Sequence, residues 1–73
     1  MNLYEARKNK AFKIVSVPNN ELLKNLGIHQ NREVIIQNRY AFGGPILLRV
    51  QNAYSVAIGK DIAKQISIKE AAV

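Results

Sequence analysis

The chain has 73 residues, eleven Lys and Arg against five Asp and Glu, a net charge of +6 and no cysteine. That length holds one domain, spanning residues 1–73, and removes only roughly 60% of its unfolded surface from water, so there is little room for a deep catalytic cleft. The missing cysteines exclude disulfides, thiolate metal sites and a cysteine nucleophile, and no apolar run approaches the ~20 residues that would insert into a membrane.

The first predicted element is a strand in AFKIVSVP (Ala11 to Pro18), rich in β-branched residues and stopped by a proline that cannot donate to a ladder. The period then changes in NNELLKNLGI. Leu22, Leu23 and Leu26 fall on one helical arc and are expected to face the core. Asn19 or Asn20 can cap this two-turn helix, Gly27 can close it in the left-handed conformation, and Ile28 can fold back on Leu23. HQNREV is a turn in which Asn31 is best able to take a positive φ.

Strand alternation returns in EVIIQNRYA, with Val34, Ile36 and Tyr40 expected inward, Glu33, Gln37 and Arg39 outward, and Ile35 as the exception. FGGP makes a hairpin turn into ILLRVQ, where Ile46, Leu48 and Val50 point in and Arg49 and Gln51 out. AYSVAIG follows through the polar pair Gln51 and Asn52. KDIAKQ reads as one helical turn capped by Asp61, and ISI (Ile66 to Ile68) as a short closing strand. These elements predict a mainly β fold: a small SH3-like barrel of about five strands, with one short α-helix and a helical turn before the last strand.

On these residues the chain resembles the FeoA family, the small cytoplasmic accessory proteins of bacterial ferrous-iron transport. LLKNLGI is similar to the family's Leu-x-x-Leu-Gly-Leu helix end, FGGPILLRV to its Gly-Gly-Pro hairpin, and VAIGKDIAKQISI to its closing segment, while MNLYEARKNKAFKIVSV looks like its opening. Gln30 and Asn31 replace a more usual Pro-Gly turn, and Gly59 a frequent base. The resemblance implies a non-enzymatic role in iron homeostasis. The partner would be a FeoB-like transporter, through its cytoplasmic GTPase domain or membrane-proximal region, with recruitment to the inner membrane face. The same domain occurs in metal-dependent repressors; the starting Met and the lack of a preceding helix-turn-helix favour the freestanding protein.

Gly43 and Gly44 raise the question of a phosphate loop, but Pro45 and a strand follow them where such a loop needs a helix and a Lys. His29 is the only histidine, and Glu5, Glu21, Glu33, Asp61 and Glu70 are dispersed, so neither a metal site nor a cofactor is expected. Ser16, Ser55 and Ser67 have no histidine at a motif distance, so no catalytic residue is expected. The competing function is a small basic nucleic-acid-binding barrel that stacks bases on Tyr40, Phe42 and Tyr54 beside Arg39 and Arg49. The bases are interspersed with acids, so specific nucleic-acid binding ranks below protein recognition. The partner-binding candidates are Phe42, Gly43, Gly44 and Pro45 at the hairpin, with Ile35 and Leu47 at outward positions. A bulge or a covering terminal segment is the alternative account of that last pair.

Overall fold

The computed structural model describes residues 1–71. Its elements are a 3₁₀ turn (Leu3–Glu5), β1 (Ala11–Ser16), α1 (Glu21–Asn25), β2 (Glu33–Arg39), β3 (Ile46–Val50), β4 (Tyr54–Ile58), α2 (Lys60–Ala63) and β5 (Ser67–Glu70). The strands form one antiparallel sheet in the order β4-β3-β2-β1-β5. Register shifts between Ile14 and Ser16 and between Ile36 and Asn38 interrupt two of its ladders, and such bulges bend strands and sharpen their twist. The result is the SH3-like fold expected from the sequence.

Alternation places the core. Phe12 and Ile14 of β1, Val34 and Ile36 of β2, and Ile46, Leu48 and Val50 of β3 are all buried and line the inner face. Leu23, Ile28, Ala63 and Ile66 close it from the connections.

Helix α1 ends as its sequence requires. Asn20 caps it by accepting from the N–H groups of Leu22 and Leu23. Gly27 takes φ +77°, its N–H donates to Lys24 O at 3.0 Å, and the N–H of Ile28 donates to Leu23 O at 2.8 Å. These two bonds satisfy carbonyls that a helix end otherwise leaves open. Asn31 takes φ +73°.

Four expectations are corrected. Leu22 is 62% exposed and Leu26 only partly buried, so of the three leucines Leu23 alone belongs to the core; a helix of five residues is too short for its period to choose among neighbouring positions. Leu26→Ala should accordingly cost about 1 to 2 kcal/mol in urea unfolding, below the range of a fully buried leucine. Asp61 does not cap α2. Gly59 occupies the N-cap without a side-chain bond, and Asp61 sits in the first turn, where its charge suits the helix dipole.

The other two corrections share a cause. Ile36 pairs with Leu48 but Asn38 with Leu47, so Gln37 is an extra residue on β2 and side-chain parity flips beyond it. Arg39 thereby opposes the buried Ile46 and is half-buried, and Tyr40 is 46% exposed; each was expected on the other side.

An element with no clear signal in the sequence is the amino-terminal segment. Leu3 and Ala6 are fully buried. Leu3 N–H donates to Ile66 O at 2.8 Å, and Ile68 N–H to Met1 O at 2.9 Å, so this segment runs along the free side of β5. Asn9 N–H then reaches Ile36 O at 2.9 Å, beside the β2 bulge.

Candidate functional site: a buttressed hairpin tip

The β2–β3 connection is tight because its ends are tied. Tyr40 N–H donates to Pro45 O at 3.1 Å, and Gly44 N–H to Ala41 O at 3.2 Å. The two residues between Ala41 and Gly44 both lie in the left-handed region, Gly43 at φ +73° and Phe42 at φ +60°. Gly43 adopts that conformation freely, whereas a bulky L-residue there costs about 1 to 2 kcal/mol. Gly44 is required for space: a Cβ would stand 3.0 Å from Tyr40 Cβ and 3.2 Å from Ala41 O.

Phe42 is 107% exposed, so its ring is fully in solvent. Apolar area of this size in water, held on a backbone conformation that disfavours it, is paid for elsewhere in the fold.

The tip is propped from below. Tyr4, in the amino-terminal 3₁₀ turn, donates its hydroxyl to Gly44 O at 3.1 Å. Arg39 Nε donates to Tyr4 O at 2.9 Å and Nη2 to Ala6 O, which holds the guanidinium 5.6 Å from the centroid of the Tyr4 ring. Lys60 Nζ lies 5.7 Å from the same centroid, close enough for each cation to be attracted by the ring. The Lys60 side chain also passes 3.6 Å from where a Cβ on Gly43 would stand. Thus one aromatic ring and two cations from three separate segments fix the hairpin and place positive charge beside it.

Of the partner-binding candidates, Phe42, Gly43, Gly44 and Pro45 come together in this tip. Ile35 and Leu47 instead lie half-buried on the outer face of the β2–β3 ladder, opposite Arg49 and Asn38, with the bulge at Gln37 between them. Tyr4 and Lys60 were not singled out, and Arg39 only as a base beside the aromatics in the nucleic-acid reading, because the three converge only through the bulge and the docked amino-terminal segment.

The remaining candidates have local explanations. His29 Nε2 accepts from Arg32 Nε at 3.0 Å and Nδ1 lies 3.0 Å from Gln30 O, so both ring nitrogens are engaged. Among the described residues no three His, Cys, Asp or Glu side chains come together. Ser55 donates to Gln37 Oε1 at 2.8 Å. Tyr54 pairs with Val50, at the end of β3 away from the hairpin, which sets it roughly 17 Å along the strand from Tyr40, opposite Pro45, and farther from Phe42. A stacking row of the three aromatics is not formed. A shallow groove of about 290 Å³ is lined by Met1, Glu5, Arg7, Lys10, Phe12 and Glu70. There Lys10 bonds Glu70 at 2.6 Å, and this hydrogen bond and its charge hold the Glu70 carboxyl below the usual glutamate range.

No helix among the described residues is long and apolar enough to cross a membrane. No curated protein matches the sequence. Among solved structures, a manganese-dependent transcriptional repressor superposes with TM-score 0.85 at 17% identity over 97% of this chain, which spans 41% of the repressor's length. An iron uptake regulatory protein (FeoA) gives TM-score 0.85 at 21% identity, with 97% of this chain and 96% of that one covered. The FeoA-like protein from Clostridium acetobutylicum gives 0.82 at 25% identity, over 100% and 88% of the two chains. The model of the FeoA domain matches residues 1–70, and with nearly the whole chain inside that match the protein belongs to the FeoA family.

Proposed function

We propose that this chain is a non-enzymatic accessory protein of ferrous-iron uptake, acting as a single domain in the cytoplasm. It binds the cytoplasmic part of a FeoB-like membrane transporter and is drawn to the inner membrane face by that contact. Family membership implies an involvement in iron transport. The observation that carries the binding role is Phe42: a phenylalanine in the left-handed region, its ring wholly in solvent, on a turn braced by Tyr4, Arg39 and Lys60. A rigid aromatic anchor loses little entropy on insertion into a partner's pocket, and such residues dominate interface energies. Lys60 and Arg39 add a cationic rim suited to an acidic surface around that pocket.

The test compares Phe42→Ala with Phe42→Gly. Both should weaken pull-down of the transporter's cytoplasmic domain by more than ~1 kcal/mol, about fivefold or more, and lower ferrous-iron uptake in cells. Phe42→Ala should melt near the parent temperature. Phe42→Gly should melt at or above it, because glycine relieves a cost of about 1 kcal/mol at this φ. A Phe42→Ala protein that melts far earlier, or that binds and supports uptake normally, would remove the anchor assignment.

A further inference from the structure

The two edges of the sheet are treated differently. On one side β5 is covered by the amino-terminal segment through the Met1 and Leu3 bonds, and it carries Lys69 and Glu70. On the other side β4 pairs with β3 alone. Its sequence, Tyr54-Ser55-Val56-Ala57-Ile58, has no charge, no proline and no bulge, three of the devices by which natural sheets blunt an open edge.

Which backbone groups face out follows from the ladder. Gln51 N–H donates to Glu33 O and Tyr40 N–H to Pro45 O, so the odd-numbered residues along β3 direct their backbone groups at β2. The even-numbered ones, Ile46, Leu48 and Val50, therefore face β4 and bond Ile58, Val56 and Tyr54. That leaves the N–H and C=O of Ser55 and of Ala57 pointing away from the sheet. Both residues are exposed, and among the described residues no hydrogen bond to these four groups is formed.

We infer that the β4 edge is a second interaction surface that takes an extended acidic polypeptide segment of a partner as an added antiparallel or parallel strand. Main-chain pairing at a sheet edge supplies affinity without demanding particular side chains, and the surrounding charge selects the partner. Arg49 stands directly across from Ser55 on the outer face, and Lys60 follows the strand by two residues. Arg32 reaches to 3.8 Å of the Cβ position at Gly27, where the Tyr54 hydroxyl also sits. None of these three cations forms an ion pair with a carboxylate among the described residues. A second copy of this chain would bring the same cations and a net charge of +6 against them, so an acidic strand is favoured over self-pairing. Lys60 also lies beside the Phe42 tip and so borders both surfaces, but the outward backbone groups of Ser55 and Ala57 belong to β4 and do not depend on the Phe42 ring.

The probe is a blocked peptide of about ten residues that alternates Glu with Val and Thr. It is titrated into isotope-labelled protein, with amide shifts and hydrogen exchange read at each residue. Saturating peptide should slow exchange at Ser55 and Ala57 by at least about tenfold. The effect should weaken from about 0.05 M to about 0.5 M salt and be absent with Lys in place of Glu in the peptide. Ala57→Pro, which removes an outward N–H and no bond to β3, should abolish it, and Ala57→Glu, which keeps the backbone and sets a carboxylate against the acidic strand, should weaken it. Phe42→Ala should leave it intact. Unchanged exchange at Ser55 and Ala57, or peptide shifts confined to the 41–45 hairpin, would overturn the inference. So would concentration-dependent protection of the same amides without peptide, accompanied by a dimer in sedimentation.

Discussion

Leu3→Ala should lower the free energy of unfolding by about 2 to 5 kcal/mol, the range for truncating a fully buried leucine. A domain of this length holds roughly 4 to 11 kcal/mol in total, so the loss would move the melting temperature by roughly 10 to 30 °C. The expectation follows from packing. Leu3 has no exposed surface, and its N–H is tied to Ile66 O at 2.8 Å. Asn2 caps the 3₁₀ turn by accepting from Glu5 N–H at 3.1 Å. Loss of Leu3 would therefore also loosen Tyr4, and with it the bond to Gly44 that supports the hairpin. Urea denaturation and calorimetry measure the stability change, and the amide shifts of Phe42 and Gly43 report the tip. If Leu3→Ala melted with the parent protein, the amino-terminal segment would have no structural role and the brace under Phe42 would have to be sought elsewhere.

That segment marks where reading the sequence stopped short. Leu3 and Ala6 are three apart among polar neighbours, and nothing in so short a stretch distinguishes a docked turn from a polar leader; the burial is tertiary. The strands were legible wherever pairing is regular. In β3, strict alternation fixed Ile46, Leu48 and Val50 as core, and the ladder with β4 preserved it. The end of α1 was legible because its bonds are local: Gly27 and Ile28 need only the preceding turn to form them.

A bulge was an alternative account of Ile35 and Leu47, but its place at Gln37 was not legible, since no glycine marks it, and one uncounted residue reversed the reading of Arg39 and Tyr40. Half of the candidate site was affected in the same way. FGGP announces a turn, and a phenylalanine in it has little within reach to bury against, so Phe42 could be named. Tyr4 and Lys60 lie 38 residues before and 18 after it in the chain, and only the folded sheet brings them beneath the tip.

Gly27→Ala is the other substitution expected to have a large effect, and a second change should rescue part of it. Gly27 lies at φ +77°, where an L-residue costs about 1 to 2 kcal/mol. A Cβ there would also stand 2.2 Å from the Tyr54 hydroxyl oxygen, which now donates to Leu26 O at 2.6 Å. No rotamer of a methyl group avoids that overlap, so Tyr54 must swing away and lose a hydrogen bond worth about 1 kcal/mol, along with its packing over the helix end. The total should be about 2 to 4 kcal/mol. Tyr54→Phe alone should cost about 1 kcal/mol, because Leu26 O can be hydrated at this half-open site. In the Tyr54→Phe background the overlap with the hydroxyl is gone, and Gly27→Ala should cost only its backbone part. The double-mutant cycle should then show coupling of about 1 kcal/mol or more between two residues 27 apart in sequence. Strict additivity in urea unfolding would mean that the penalty at position 27 is wholly conformational and that the hydroxyl does not tie the β3–β4 hairpin to the end of α1.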